Sequence, residues 1–245
     1  MRNQFVSILS LTVPFFLISC QQAEISGEAI AAVAQASKTS ETGPIVVELF
    51  QSQGCSSCPP ANLALNAIAD TKNVIALNFS VTYWDRLGWK DVFGDPDYTQ
   101  RQYNYANALG DSNVYTPQVI LNGKRAIVGN KPGEISRAVA ATPGLSGGPV
   151  ISAKSNTVAI GAGKGKASVW LVRYDPRIQN VAIKSGENSG RNLAHKNIVR
   201  QLVKLGEWNG SAVNYTLPAS PSASYKSVVL TQRPGGGVIY SARVI

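Results

Sequence analysis

The chain has 245 residues, a hydrophobic fraction of 44% and 22 glycines, which indicates a globular, turn-rich protein of one large domain or two small ones. Its formal net charge of +9 is unevenly spread. Residues 44–149 carry eight Lys/Arg and eight Asp/Glu, whereas residues 150–245 carry thirteen Lys/Arg and three Asp/Glu. This difference favours two domains with different partners. The basic half has no nucleic-acid-binding motif, so nucleic acid is excluded as its expected partner.

The first 19 residues resemble a bacterial export signal. Arg2 supplies a positive charge, and the apolar run Phe5 to Ile18 is too short for a bilayer, which needs roughly 20 residues. The run ends in Leu17-Ile18-Ser19-Cys20, which resembles the lipobox of bacterial lipoproteins and implies a lipid on Cys20. A plain secretory signal with an incidental cysteine is the alternative. Residues 20–43 predict a flexible tether, and we expect an exported, periplasmic protein anchored to the bacterial membrane through Cys20.

Residues 44–149 predict an α/β domain. The apolar run Ile45 to Phe50 predicts a buried strand, because it lacks the alternation of a strand exposed on one face. A helix, a second strand, a second helix, a hairpin with an Asn-Gly turn and a last helix are predicted after it. In chain order these segments are 61–70, 73–81, 95–110, 118–121, 124–128 and 133–141.

Two cysteines lie between the first strand and the first helix, in Cys55-Ser56-Ser57-Cys58-Pro59-Pro60. Thiols at this spacing can form a disulfide or bind a metal. A helix N-terminus stabilises a thiolate and lowers the pKa of a cysteine, which is the chemistry a redox dithiol needs. Cys55 comes first, on the loop side, and is expected to be the exposed, attacking thiol. Cys58 is expected to be the more buried, resolving thiol.

An aromatic and polar insertion follows the second strand, from Tyr83 to Asp91. One interpretation is a loop whose two indole rings pack back onto the domain. The other is a rim that controls access of a substrate to the dithiol, formed by Trp84, Asp85, Trp89 and, from the next loop, Tyr115.

Residues 150–245 predict seven short strands separated by turn-rich segments, which favours a β-sandwich. The segment 197–205 also fits a helix that stops at Gly206. His195 is the only histidine, and a copper or zinc site built from it and the two cysteines is disfavoured, so we expect neither a metal nor a cofactor. Four basic residues predict either a solvated face or a docking patch for an anionic surface or an acidic partner: Arg191, Lys196, Arg200 and Lys204.

The order of elements in residues 44–149, with the C-x-x-C pair and Thr116-Pro117 before a strand, resembles the thioredoxin fold. The resemblance implies that the Thr116–Pro117 bond is cis and lies against the Cys55–Cys58 pair. It also places Glu48 where thioredoxins keep a buried acid, so that Glu48 could relay a proton to Cys58; the alternative is an acid paired with a Lys or Arg. The expected fold class is an α/β thioredoxin-like N-terminal domain plus an all-β sandwich-like C-terminal domain.

Most of the chain also resembles a bacterial exported family of unknown function, described as thioredoxin-like. The matching segments are 48–60, 83–89, 114–118 and 186–191. The sequence departs from thioredoxin in having Ser56-Ser57 between the cysteines and no Trp before them, and these differences tune redox potential. Oxidant and reductant roles therefore stay open.

These features predict a thiol–disulfide oxidoreductase that acts on exported proteins with thiols or disulfides. The first alternative is a non-catalytic exported binding protein, in which the disulfide is a structural brace and the basic half binds the partner. A metallochaperone is the second.

Overall fold

The computed structural model describes residues 42–245. The predicted signal, Cys20 and nearly all of the predicted tether lie outside the described residues. Within residues 42–245 no helix has the length and apolar character needed to cross a membrane.

The described chain contains thirteen strands, three α-helices and one 3-10 turn at Asp85–Leu87. The helices are α1 (Pro59–Ile68), α2 (Pro96–Leu109) and α3 (Glu134–Ala140). The strands of the first half are β1 (Ile45–Gln51), β2 (Val74–Ser80), β3 (Gln118–Leu121) and β4 (Arg125–Ile127). Those of the second half are β5 (Ile151–Lys154), β6 (Thr157–Ile160), β7 (Ala167–Asp175), β8 (Gln179–Ala182), β9 (Asn192–His195), β10 (Ile198–Trp208), β11 (Val213–Thr216), β12 (Lys226–Gln232) and β13 (Ile239–Val244).

Eight strands form one mixed sheet in the order β13-β12-β7-β10-β2-β1-β3-β4. The two halves of the chain join where β10 runs parallel to β2, with Ile198 opposite Asn78. Asn78 N–H donates to the carbonyl of Asn197 at 3.0 Å, and the side chain of Asn197 donates to Ala76 O at 2.9 Å. Strands from both sides of residue 150 therefore share one hydrogen-bonded sheet.

The alternation of side chains along β1 sends successive residues to opposite faces of this sheet. Val47 and Leu49 face α1 and α3, in an apolar core that includes Leu65 and Ile135. Residues of the opposite register, Val46 and Phe50 among them, face α2 and the strands of the second half. The strand is thus buried on both faces, which explains its continuous apolar run.

The large sheet curls around α2, and its two ends meet. Ile239 N–H, on β13, donates to Asn122 O, in the turn that follows β3, at 3.0 Å. At the same place the backbones of Gly123 and Gly237 are in such close contact that a Cβ on Gly123 would lie 2.0 Å from Gly237 O. The concave face packs on Tyr98 and Tyr105 of α2.

Two smaller sheets complete the described chain. Strands β11, β6 and β5 form a three-stranded sheet that packs against the outer face of β7 and β12, through residues such as Val158, Leu171 and Val229. Strands β8 and β9 form a separate two-stranded hairpin. The hairpin is tied to α1, because the Asn66 side chain donates to Ala194 O at 3.0 Å.

The predicted fold class, an α/β thioredoxin-like domain plus an all-β sandwich, is wrong. The described chain is mostly β-sheet, and one large mixed sheet replaces the two separate layers. The physical reason lies in β7, β10, β12 and β13, which extend the sheet of the first half instead of closing a sandwich of their own. Hydrophobic pattern alone does not tell which neighbour such strands will pair with.

Predictions of the ends of α2 and of the Asn-Gly turn are confirmed. Asp95 caps α2 by accepting a hydrogen bond from Asp97 N–H at 2.9 Å, and Gly110 ends the helix at φ 79°. Asn122 and Gly123 form the predicted turn with φ of 50° and 66°. The ambiguous segment 197–205 is strand and not helix from residue 198 onward, because β10 begins at Ile198.

Candidate functional site

The cysteine loop, defined as residues 52–58, connects β1 to α1. Cys55 and Cys58 are joined in a disulfide, and Cys58 is the N-cap residue of α1. Pro59 and Pro60 occupy the first two helical positions and have no N–H. The helix end therefore presents fewer main-chain donors to the cysteines than an ordinary N-terminus does.

Both sulfur-bearing residues are closed to solvent, with Cys55 and Cys58 each 0% exposed. Within the cysteine loop only Ser56 and Ser57 are exposed. The prediction that Cys55 would be the more exposed cysteine is therefore wrong. Sequence position on the loop side did not reveal that segments distant in the chain cover it.

The hydroxyl of Ser57 lies between the disulfide and the loop before β3. Its Oγ is 3.4 Å from Cys55 Sγ and 3.4 Å from the carbonyl oxygen of Thr116. The Thr116–Pro117 peptide bond is cis, as predicted. The structure thus brings together four of the five residues predicted to be catalytic: Cys55, Cys58, Thr116 and Pro117.

The loop between β8 and β9, residues 183–191, covers the cysteine loop. Asn188 is fully buried, and its Nδ2 donates to the main-chain carbonyls of Gln53 at 2.8 Å and Cys55 at 2.9 Å. Glu187 Oε2 accepts a hydrogen bond from Ser56 N–H at 3.0 Å, and hydrogen bonding to the Ser56 hydroxyl and N–H lowers the pKa of the Glu187 carboxyl. Arg191 in turn donates to Asn188 Oδ1 at 2.8 Å. Family resemblance matched residues 186–191 of this loop, and sequence reasoning assigned Arg191 to the basic patch but gave no role to Glu187 or Asn188.

The aromatic insertion covers the cysteine loop from another side. Trp84 Nε1 donates to Thr116 Oγ1 at 2.7 Å, and its Cβ lies close against Gly54. Trp89 Nε1 donates to Gln53 Oε1 at 2.9 Å. Both indoles are thus hydrogen-bonded inward, as expected if the rings pack back onto the domain.

The other two residues of the predicted rim differ in position. Asp85 Oδ1 accepts a hydrogen bond from Asp91 N–H at 3.0 Å, within the insertion itself. Tyr115 is 37% exposed beside the cis bond. The rim as a substrate-contacting surface stays a prediction.

Asp91 is a buried acid that sequence reasoning did not select. Its Oδ2 accepts a hydrogen bond from Gln53 N–H at 2.8 Å, and its Oδ1 accepts one from Phe93 N–H at 2.9 Å. Burial raises the pKa of Asp91 to about 6, although these hydrogen bonds oppose the shift. The carboxylate fixes the backbone just before the cysteines. An acid next to a Trp-rich loop gave no sequence signal for this contact.

Glu48, the fifth residue predicted to be catalytic, faces α2 and is fully buried. Its carboxylate forms an ion pair with Arg101 at 2.9 Å and accepts a hydrogen bond from the Tyr105 hydroxyl. The structure thus contains the ion pair with an arginine that was the alternative interpretation of Glu48. The proton relay to Cys58 stays a prediction; α1, which Cys58 caps, packs on the face of β1 opposite Glu48.

A buried polar network lies beneath α1, one turn after Cys58. Asn62 Nδ2 donates to Gln51 Oε1 at 3.0 Å, and Asn62 Oδ1 accepts from Asn78 Nδ2 at 2.8 Å. His195 Nδ1 lies 3.2 Å from the same Oδ1 and therefore acts as the donor. Burial lowers the pKa of His195 to about 4, so the ring is neutral at pH 7. Three polar side chains on separate strands gave no recognisable sequence motif.

The predicted basic patch is divided among several contacts. Lys196 pairs with Asp70, Lys204 pairs with Glu207, and Arg200 lies over the Phe93 ring at 5.2 Å. Among residues 42–245 no three His, Cys, Asp or Glu side chains form a group able to hold a metal ion.

A cavity of about 410 Å³ lies between α2 and the concave face of the sheet, away from the cysteine loop. Arg101 and Trp170 are among its lining residues, with the guanidinium 5.7 Å from the centre of the indole ring. Arg101 is already paired with Glu48, so the charge of this guanidinium is compensated.

A family model described as "Protein of unknown function (DUF1223)" matches residues 46–232. A crystal structure of a protein from Agrobacterium tumefaciens is similar over 84% of this chain and 95% of that chain, with 35% identity and a TM-score of 0.69. HBP35 of Porphyromonas gingivalis shares the fold at 12% identity and a TM-score of 0.55, over 83% of this chain and 75% of that chain. The comparison with curated proteins found no match.

Proposed function

We propose that this chain, which belongs to the family described as "Protein of unknown function (DUF1223)", exchanges disulfides with exported proteins through Cys55 and Cys58. The observation that carries the proposal is the position of the pair. The two cysteines lie at the start of α1, and a hydroxyl, that of Ser57, lies 3.4 Å from Cys55 Sγ. A hydroxyl donor at this distance can stabilise a thiolate, the reactive form of cysteine.

The exchange proceeds through a mixed disulfide. In the reduced protein Cys55 loses its proton, and the resulting thiolate attacks one sulfur of a partner disulfide, while the other partner sulfur leaves as a thiolate and takes up a proton. Cys58 then loses its proton and attacks Cys55 Sγ. The Cys55–Cys58 disulfide forms, and the partner leaves with two thiols. The reverse sequence oxidises a partner dithiol, so two electrons and two protons pass between the proteins in either direction.

One observation favours a different function. Both cysteines are fully buried, Asn188 donates to Cys55 O, and Trp84 packs on the neighbouring Gly54. That is the environment of a structural disulfide, in an exported binding protein whose partner is recognised elsewhere. The basic residues of the second half are the first place to look for such recognition.

Trapping of partners distinguishes the two functions. Cys58→Ser removes the resolving thiol, so a mixed disulfide with Cys55 should accumulate in the periplasm and disappear on reduction. Cys55→Ser and the double variant are the matched controls and should give no adduct. If Cys58→Ser is folded, by circular dichroism, and also gives none, the disulfide is a brace and the binding function stands.

We also propose export, with a lipid on Cys20, which lies outside the described residues. Fractionation of expressing bacteria tests it, with Cys20→Ser as the comparison. Parent protein in the membrane fraction and Cys20→Ser in the periplasmic fraction are the expected result. Equal distribution of the two proteins would exclude lipid as the anchor.

A further inference from the structure

The loop between β8 and β9, residues 183–191 (the β8–β9 loop), covers the disulfide and is held in that position by hydrogen bonds to the cysteine loop. Asn188 is the part of the loop that is fully buried, whereas its neighbours Glu187 and Ser189 are exposed. One amide, Nδ2 of Asn188, donates to two carbonyls of the cysteine loop, those of Gln53 and Cys55. The carboxylate of Glu187 accepts from Ser56 N–H between the two cysteines. Three main-chain groups around Cys55 are thus satisfied by two adjacent side chains.

The hairpin at the base of this loop is held to α1 by the Asn66 side chain and by the buried His195, and Ile183, where the loop begins, is 2% exposed. The loop joins β8 and β9, a two-stranded hairpin that forms no ladder with the larger sheets. Such a hairpin is marginally stable by itself. Gly186 and Gly190 have φ of 75° and 79°, which lets the chain turn sharply on both sides of Asn188. Outside the cysteine loop, this segment is held to the insertion by Ser185 Oγ, which donates to Gly88 O, and by the packing of Gly186 on Trp89.

Thiol–disulfide exchange requires the attacking thiolate to reach a sulfur along the S–S axis. Neither cysteine is exposed in this arrangement, so some part of the cover must move before any reaction occurs. The β8–β9 loop contacts the cysteine loop through three hydrogen bonds, two from Asn188 Nδ2 and one to Glu187 Oε2. A small number of hydrogen bonds, each with a modest net contribution, can be broken at low cost.

We infer that Asn188 and Glu187 are positioning residues that hold the β8–β9 loop closed over Cys55, and that opening of this loop decides which thiols reach the disulfide. The inference deepens the proposed exchange function and rests on it for its biological meaning. Small diffusible thiols meet a closed site and react slowly. A protein partner whose binding energy displaces the loop reacts quickly, which makes the exchange selective for macromolecules.

The test is the rate at which dithiothreitol reduces the Cys55–Cys58 disulfide in the full chain carrying Cys20→Ser, followed by maleimide labelling and mass. One dithiothreitol thiolate attacks a disulfide sulfur and its second thiol resolves the mixed disulfide, so dithiothreitol is oxidised and the two cysteines are reduced. Asn188→Ala should accelerate this reaction roughly tenfold, since two hydrogen bonds to the cysteine loop are lost. Glu187→Gln should accelerate it about threefold, because the charged acceptor becomes neutral.

Ser189→Ala is the matched control in the same loop. Its hydroxyl is exposed and donates only to Lys184 O, within the loop, so the rate should equal that of the parent. The parent rate should also level off at high dithiothreitol concentration, when opening limits the reaction. A parent rate that stays linear, or an Asn188→Ala rate within twofold of it, would overturn the inference.

Two further measurements keep the result decisive. Urea unfolding shows whether Asn188→Ala remains folded under the assay conditions. If it does not, Arg191→Ala, which removes the hydrogen bond to Asn188 Oδ1, replaces it with the same expected acceleration. The dithiothreitol assay needs no natural partner, so its result is independent of partner trapping. Trapping by Cys58→Ser without acceleration by Asn188→Ala would overturn this inference alone. Acceleration without trapping would overturn the proposed exchange function alone.

Discussion

The carboxylate of Glu48 and the guanidinium of Arg101 form an ion pair closed to solvent, with Oε1 and Nη2 at 2.9 Å and side chains that are 0% and 4% exposed. Arg101 also donates to Gln232 Oε1 at 3.2 Å. Through Arg101 of α2 the pair thus links β1 and β12, which are separated by three strands in the order of the sheet. We therefore assign Glu48 a structural role, in which its ion pair with Arg101 holds the sheet around α2.

Glu48→Gln should be strongly destabilising, because it leaves a buried guanidinium without its counter-charge. Removal of one partner from a buried ion pair typically costs about 3–5 kcal/mol. Asp70→Asn is the control, since its partner Lys196 holds a carboxylate that is 80% exposed, and such pairs contribute roughly 0–1 kcal/mol. Urea unfolding of the three proteins measures both costs. Equal effects of the two substitutions would contradict the structural role assigned to Glu48.

His195 should make the protein acid-sensitive through its neutral, buried ring. Its pKa is lowered from 6.5 to about 4 by burial, so below pH 6.5 the unfolded chain binds a proton that the folded chain excludes. This contribution to stability is complete above pH 6.5 and is lost as pH falls toward 4. As the pH falls over that interval, the free energy of unfolding of His195→Asn should increase by roughly 3 kcal/mol relative to that of the parent protein.

Urea unfolding of both proteins at pH 7.5 and pH 4.5 measures this gain. The variant is needed because the pH dependence of the parent alone combines two opposing effects. Asp91 has its pKa raised to about 6, so its protonation stabilises the folded state in the same interval and opposes the His195 effect in the parent. Asp91 is present in both proteins, so it drops out of the difference. A difference that is independent of pH would show that His195 is hydrated or paired in solution.

Local elements of the fold could be predicted because their signals lie in adjacent residues. Asp95 and Gly110 bound α2, and the Asn122-Gly123 turn was found from its dipeptide. Strand partners could not be predicted, because the pairing of Ile198 with Asn78 joins positions far apart in the chain. Nothing in the pattern of β10 distinguishes an edge strand of a sandwich from the strand that extends the first sheet.

In the candidate site, too, local features could be predicted from the sequence and contacts between distant segments could not. The cysteine pair and the cis bond at Pro117 were predicted from local sequence and family resemblance. Burial of Cys55 was not, since it depends on Asn188, 133 residues away. Periodicity and motif spacing carry no information about a contact of this kind.

Gly123→Ala should destabilise the protein more than its backbone angle alone predicts. Its φ of 66° would cost an alanine about 1–2 kcal/mol, and the new Cβ would lie 2.0 Å from Gly237 O. Gly110→Ala is a matched control, because φ is 79° there and nothing lies within 4 Å. Thermal unfolding should therefore rank the parent above Gly110→Ala, and Gly110→Ala well above Gly123→Ala. Similar losses would mean that the two ends of the sheet separate easily.

The chemistry proposed for Cys55 depends on Ser57, whose hydroxyl lies 3.4 Å from the sulfur. Because Pro59 and Pro60 bring no N–H groups to the start of α1, this hydroxyl is the donor best placed to stabilise a thiolate at Cys55. Removing a hydrogen bond to the charged form of a group disfavours that form. Ser57→Ala should therefore reduce the thiolate fraction of Cys55 at a given pH.

The measurement is the pH profile of alkylation by iodoacetamide in the Cys58→Ser background, where Cys55 is the thiol of the pair that remains. Ser57→Ala should move the midpoint of this profile to higher pH by roughly half a unit to one unit, the scale of one hydrogen bond to a charged group. Ser56→Ala, at the neighbouring exposed position, should leave the midpoint in place. A midpoint that is equally unmoved by Ser57→Ala would show that the hydroxyl bonds to Thr116 O in the reduced protein and leaves the sulfur unassisted.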